Sequence, residues 1–363
     1  MIKKAYAMFE PDITLTKQLT GNKAPSVQYM IFDEYDVIHK FQSGFADIKN
    51  QKKVSWKSTF NAFSVTKTFT ALAILQLVEK GVLDLDNSAK NHIAEFPYPE
   101  EITIRQLLTH SAGIPNPNPL AWIHLDAEHE SFDRDAFFSP IIKKYSKTKS
   151  PPNQKFAYSN LGYFLLGQII ENTSGQTYED YIRQHILKPL NIGPQELNFE
   201  IYDKEMQAKG YQKRYSLMNA VLGLFLDKKK YMSGPEGRWK PFKNYYVNGT
   251  SYGGLIGSAD GFRKYIQALL DPDNPLITAQ FKKHLFTENF TGSGKATGMC
   301  LSWFKGTLND RDYYAHTGGG GGYYDEIRIY PDLGIGSVVM YNRSGMTDER
   351  ILDTLDCYYL NCK

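Results

Sequence analysis

The spacing of apolar residues changes period twice along this chain, and no other feature restricts its fold as much. Ser26 to Phe32 is rich in β-formers, Asp33-Glu34-Tyr35-Asp36 reads as a turn, and Val37 to Phe41 completes a hairpin. From Phe63 the pattern becomes helical. Val65, Phe69, Leu72 and Val78 predict a helix from about Ser64 to Lys80, with Gly81 as its C-cap. Thr103-Ile104-Arg105-Gln106 is a capping-box pattern for a short helix ending near Gly113-Ile114-Pro115. Leu161 to Asn172, Tyr178 to Leu187 and about Asp260 to Leu270 read as further helices. Strand patterns return at Asp312 to Ala315, Tyr324 to Tyr330 and Ile335 to Tyr341, before a last amphipathic helix from about Asp348 to Leu360. This order predicts an α/β (α+β) chain. Residues 1–63 and 250–363 would form one discontinuous sheet domain, and residues 64–249 a mainly helical domain inserted into it.

The 363 residues are ample for a sizeable core, and 42 Lys and Arg against 39 Asp and Glu give a net charge of only +3. Such a balance argues neither for nucleic acid nor for an anionic membrane, and no nucleic-acid partner is expected. The runs Lys143-Lys144 and Lys228-Lys229-Lys230 read as solvated faces. Twenty-five tyrosines suit a protein with strands and a cleft for something apolar. No apolar run is long enough to span a membrane. The basic start Met1-Ile2-Lys3-Lys4 is followed by too short an apolar stretch for a signal peptide. Cys300, Cys357 and Cys362 cannot build a disulfide framework, which favours reduced thiols. The chain as it stands reads as cytoplasmic, or as periplasmic or secreted had a signal been removed; its oligomeric state is not legible.

Three short segments hold residue types with chemistry. Ser64 and Lys67 lie one turn apart on the same face of the most apolar helix. A serine hydroxyl needs a base, and a lysine enclosed by apolar neighbours can be neutral enough to serve. The bland alternative is an N-cap serine followed by a surface lysine, and Ser146-Lys147-Thr148-Lys149 repeats the spacing in a polar stretch. Tyr158 and Asn160, two residues apart in an extended turn, could face one cleft; a packed tyrosine and an N-cap asparagine would look the same. His316-Thr317-Gly318 ends a strand and runs into a glycine tract, where backbone N–H groups can approach a ligand, or which simply forms a flexible turn.

In this order, Ser64-x-x-Lys67, Tyr158-x-Asn160 and His316-Thr317-Gly318 resemble the active-site elements of the serine β-lactamase and penicillin-binding protein superfamily. The likeness is to its class C β-lactamase branch, with its DD-peptidase and esterase relatives. It extends over Gln106 to Pro115, Tyr252 to Asp260 and Glu326 to Pro331, and covers nearly the whole chain. The resemblance implies an antiparallel sheet flanked by helices, with the active site between the sheet and the inserted helical domain. It implies Ser64 as the acylated nucleophile, Lys67 as its proton acceptor or partner, and Tyr158 as general base. Asn160, His316, Thr317 and Gly318 would bind substrate, the backbone N–H groups of Ser64 and Gly319 would form the oxyanion hole, and neither metal nor organic cofactor is implied. His316 departs from the pattern, since β-lactamases of this branch usually have lysine there. A fixed charge for a substrate carboxylate is then missing, and histidine would supply one only near or below its unperturbed pKa of about 6.5.

Two other signals compete. Gly249-Thr250-Ser251-Tyr252-Gly253 matches a GxSxG elbow, but glycines follow where a helix should begin, so the match reads as chance. His124, His129, Asp126, Glu128 and Glu130 lack metal-ligand spacing and read as a solvated helix face. Two function classes stand. One is a serine hydrolase of esters, amides or D-amino-acid peptides, a true β-lactamase being one variant. The other is a penicillin-binding or sensor protein, acylated once without turnover. Either partners a small-molecule or peptide substrate.

Overall fold

The computed structural model describes residues 9–345 and 350–360. Its principal strands are β1 (Ser26–Asp33), β2 (Val37–Asp47), β3 (Lys52–Lys53), β4 (Phe304–Leu308), β5 (Arg311–Gly320), β6 (Tyr323–Tyr330) and β7 (Ile335–Tyr341). They form one seven-stranded antiparallel sheet in the order β4-β5-β6-β7-β1-β2-β3. The two β-rich stretches meet at β1 and β7, where Val27 lies opposite Tyr341 and Asp33 opposite Ile335. The helices that matter here are α1 (Glu10–Thr20), α2 (Thr66–Glu79), α3 (Asn160–Ser174), α4 (Ala259–Leu270) and α5 (Ile351–Cys357).

Both faces of the central strands are covered: every residue of β6 is buried, Asp325, Glu326 and Arg328 included, and so is every residue of β7 after Ile335. Alternate residues take opposite sides. Met30, Phe32, Ile327 and Val338 join the main core. Tyr29, Ile31, Val339 and Tyr341 pack with Leu15 of α1 and Leu352 and Leu355 of α5. Each such aliphatic side chain contributes roughly 1.5–3 kcal/mol by leaving water. Gln28, on the main-core side, ties the sheet to the helices: its amide donates to Ser55 O and Ser58 O, and its oxygen accepts from Ala259 N at the start of α4.

The expected hairpin, the helix at residues 66–79 and the three late strands are all present, with shifted edges. The helix predicted from Ser64 begins as a 3-10 turn, Phe63–Val65, and becomes α-helical at Thr66. Gly81 closes it with φ +73°, its N–H bonded to Val78 O at 2.9 Å and that of Val82 to Leu77 O at 3.1 Å. The capping box at Thr103 and Gln106 is formed, but its helix stops at Leu108. A helix that the apolar spacing did not announce, Arg134–Lys144, is capped by Asp133 and masked in the sequence by its internal Pro140.

The histidine cluster is corrected at His124. His124 is buried on a short strand, Ile123–Leu125, paired with Tyr245–Val247. Its Nδ1 meets Asn248 Oδ1 at 2.8 Å and its Nε2 meets His129 Nδ1 at 2.9 Å, between stacked Phe132 and Tyr246. Aromatic packing decided the place of His124, whereas Asp126, Glu128, His129 and Glu130 lie half-buried or exposed on the short 3-10 helix Asp126–Ser131, in keeping with a solvated face. The thiols differ as well. Cys300 is a buried free thiol, whereas Cys357 is disulfide-bonded, contrary to the expectation of reduced thiols throughout. The basic N-terminal segment, Cys362 and the start of the last predicted helix lie outside the described residues.

Candidate active site

Ser64 occupies the 3-10 turn that feeds α2. Phe63, just before it, sits at φ +46°, a left-handed conformation that costs a bulky residue of order 1–3 kcal/mol. Ser64 Oγ is the shared acceptor of two hydrogen bonds, from Lys67 Nζ at 2.9 Å and from Tyr158 OH at 2.8 Å. Lys67 Nζ also donates to Asn160 Oδ1 at 2.9 Å and to the carbonyl of Tyr252 at 2.6 Å. Its nitrogen lies 5.1 Å from the Tyr158 ring centroid and 5.5 Å from those of Tyr163 and Tyr252.

Lys67 is fully buried and, among the described residues, forms no ion pair. Burial therefore pushes its pKa well below the ordinary lysine value. Burial also raises the Tyr158 phenol, which the bond to Ser64 only partly offsets. Of the two groups on Ser64 Oγ, the lysine is the one driven toward its neutral form. A neutral Lys67 amine can accept the serine proton, and the Tyr158 hydroxyl can relay a proton to or from the same oxygen.

Asn160 opens α3, whose N-cap Ser159 accepts from Gly162 N at 3.1 Å. Asn116 Oδ1 accepts from both the Asn160 backbone N–H, at 3.1 Å, and its side-chain Nδ2, at 3.2 Å. That fixes the amide so that its oxygen faces Lys67. From the other side, β5 brings His316, Thr317, Gly318 and Gly319. A Cβ on Gly318 would lie 2.0 Å from Ala62 O and 3.2 Å from Ser64 N, so only glycine permits this approach. At the turn beyond, Gly321 and Gly322 take φ +46° and +101°.

His316 is buried, and its Nδ1 donates to the carbonyl of Thr317 at 2.8 Å. Its Nε2 is then the unprotonated nitrogen. Burial pushes its pKa down to about 3. This corrects the expectation that His316 would gain a charge near pH 6: in the free protein it stays neutral.

Ser64 stands where two clefts meet. One, of about 270 Å³, is lined by Leu120, Trp122, Leu222, Leu226 and Phe242 and includes Gly319. The other, of about 390 Å³, is lined by Gln212, Phe304, His316, Thr317 and Ser344. The structure thus gathers every expected site residue around Ser64. It adds three that sequence reasoning missed: Asn116, the Tyr252 carbonyl and the strained Phe63. The GxSxG match is disposed of, because Ser251 is buried and its hydroxyl donates to Tyr163 O at 2.9 Å. Lys147 and Lys149 of the second SxxK-type copy are exposed and outside any helix.

The family model described as Beta-lactamase matches residues 13–356. The chain belongs to that family. This bears out the resemblance carried by the three motifs and the fold it implied. The chain is 25% identical over 359 residues to "Protein flp" of Staphylococcus aureus (strain MW2), spanning 97% of this chain and 66% of that protein's length. The octameric penicillin-binding protein homologue from Pyrococcus abyssi superposes with a TM-score of 0.76 at 25% identity, covering 97% of this chain and 77% of the other. D-amino acid amidase from Ochrobactrum anthropi SV3, in its complex with D-phenylalanine, gives a TM-score of 0.74 at 19% identity and covers 95% of each chain. At that identity the likeness is one of fold.

Proposed function

We propose that this protein is a serine hydrolase that acts through an acyl-enzyme on Ser64, cleaving esters, amides or D-amino-acid peptides with an apolar acyl part. The observation that carries it is the double hydrogen bond on Ser64 Oγ from a buried phenol and from a lysine that has no counter-charge among the described residues. In the proposed reaction Ser64 Oγ attacks the substrate carbonyl while its proton passes to Lys67. The N–H groups of Ser64 and Gly319 receive the oxyanion. Collapse expels the leaving group, protonated through Tyr158, and water then cleaves the acyl bond with proton transfer in reverse. Side chains supply nucleophile and proton transfer, so no metal or organic cofactor enters this scheme; dialysis against a chelator is expected to leave turnover intact. The acyl part fits the cleft of Leu120, Trp122 and Phe242, and Asn160 holds the substrate amide or carbonyl. The scheme keeps the two-domain division, residues 64–249 supplying Ser64, Lys67, Tyr158 and Asn160, and residues 250–363 supplying His316 to Gly319.

A neutral His316 offers no fixed charge to a substrate carboxylate, so neutral esters should be preferred to β-lactams. The test is product release from a p-nitrophenyl ester, with intact mass spectrometry of the protein. Turnover beyond one equivalent, with a transient acyl adduct absent from Ser64→Ala, is expected. The second reading, acylation without turnover, draws support from the raised Tyr158 phenol, which opposes activation of a deacylating water. It predicts one equivalent of product and a persistent adduct.

A further inference from the structure

The segment that closes the apolar cleft has a second, outward apolar face. Leu222 and Leu226 line the cleft at Ser64. From the same segment, built around the helix Leu217–Leu222, Leu217 is 82% exposed and Leu224 79% exposed, beside exposed Tyr215 and Phe225. Four large apolar side chains exposed on one short segment are a candidate interaction surface.

Charge is concentrated in the same place. Residues 213–243 hold eight Lys and Arg against two acids, which leaves the remainder of the chain net negative. Of the two acids, Glu236 is turned to Lys209 at 3.0 Å and Tyr211 at 2.8 Å, and Asp227 caps the turn at Lys229 and Lys230. Lys230 pairs with Glu128 at 2.7 Å, but Arg214, Lys229, Arg238 and Lys243 form no ion pair among the described residues. The cations are tied to the apolar helix: Arg214 N bonds Arg238 O at 2.8 Å, Asn219 Nδ2 bonds Arg214 O at 2.6 Å, and Lys228 Nζ bonds Asn219 O at 2.7 Å. Like charges crowd there. Besides burial, Arg343, Arg238 and Lys23 hold Lys213 below its ordinary pKa.

We propose that residues 213–243 dock the protein onto an anionic lipid surface, Leu217, Leu224 and Phe225 entering the acyl boundary and Arg214, Lys229 and Arg238 lying over the headgroups. Apolar side chains rimmed by unpaired cations are the combination that binds such a surface, through buried area and through attraction to negative lipid. The near-neutral whole-chain balance hid this, because it averages a basic patch with an acidic remainder. Docking stands without the hydrolase reading. Its consequence, that the apolar cleft receives acyl chains from the lipid side, rests on that reading.

The test is co-sedimentation of the full chain with vesicles of phosphatidylcholine, alone or mixed with phosphatidylglycerol. Binding at least about tenfold stronger to the anionic vesicles, and weakened by salt, is expected. The variants Leu217→Ser/Leu224→Ser/Phe225→Ser and Arg214→Glu/Lys229→Glu/Arg238→Glu should each lose about tenfold or more in binding while keeping turnover of a water-soluble ester. Absence of sedimentation overturns the proposal. So does full vesicle binding by the serine variant, which makes the patch a general polyanion site, and so does a dimer that Leu224→Ser dissociates, which makes the occupant a second copy. If the wild type binds vesicles yet hydrolyses no ester, docking stands and the hydrolase reading falls.

Discussion

Lys67 and Arg328 are both fully buried cations, and the protein treats them in opposite ways. Arg328, in the middle of β6, is surrounded by carboxylates: Glu326 at 2.5 Å, Asp353 at 2.7 Å and Asp356 at 3.9 Å. The Tyr330 hydroxyl completes the cluster, bonded by Arg328 at 3.2 Å and donating to Asp356 at 2.9 Å. The guanidinium is held charged, its pKa raised despite burial. Lys67 has only neutral acceptors, a hydroxyl, an amide oxygen and a carbonyl, and is pushed toward losing its proton. A buried cation given counter-charges becomes a structural strut. One given dipoles alone is driven toward the neutral form that can accept a proton.

The contrast breaks most visibly if substitutions at the two sites have the same signature. Ser64→Ala and Lys67→Met should each lower kcat/KM by about a thousandfold or more, with little change in the urea midpoint. For Lys67→Met, the lost hydrogen bonds are offset by the removal of a desolvated amine. Arg328→Met should do the reverse. It leaves Glu326 and Asp356 buried beside no cation, and about 3–5 kcal/mol of stability should disappear in equilibrium denaturation while folded molecules keep their activity. A Lys67→Met protein as unstable as Arg328→Met would end the comparison.

Asp356 sharpens it in pH. Burial, opposed by Arg328, pushes its carboxyl up to about 7, so the folded state binds its proton more tightly than the unfolded chain, where the value is about 3.9. Its stabilising contribution is present below that unfolded value and is lost as pH rises toward about 7. Denaturation measured across this window should show stability falling with pH, and Asp356→Asn should flatten that slope. The smallest effect belongs to His316. Because its pKa lies near 3, the ratio of kcat/KM for a neutral ester to that for a cephalosporin should show no inflection from this residue between pH 5 and pH 8. His316→Lys should move the ratio about tenfold toward the carboxylate-bearing substrate. A ratio that follows a group near 6.5 in the wild type alone would show that His316 does ionise.

The fold was legible wherever a face is buried over several residues. The strands at residues 26–33, 323–330 and 335–341 and helix α2 declare themselves because each packs against a core along its length. Helix α1 did not, since Leu15 is its one apolar side chain in the core, and Arg134–Lys144 was hidden by Pro140. At the site, Ser64, Lys67, Tyr158, Asn160 and His316 to Gly319 were legible through spacing and order together. Asn116 was not, because an asparagine that orients another asparagine has no local pattern. Neither was the Tyr252 carbonyl, a backbone atom whose role depends on where its turn is placed. Phe63 left no trace either, since its left-handed backbone comes from the close approach of Gly318 to Gly320 and not from its own preference.

The pairing of Val27 with Tyr341 has a kinetic consequence. During synthesis Ser64 and Lys67 leave the ribosome early, whereas β5, which completes the cleft, and β7, which closes the sheet on β1, arrive only after the intervening helices. Until then the hairpin of β1 and β2 waits with an open edge on β1, the type of edge that recruits other strands. Such long-range pairing slows folding, because the loop between the partners must close before the contact forms. Nascent chains released before β7 should therefore be prone to aggregate, and the sheet loses its open edge and the site around Ser64 its last gap in the same late event.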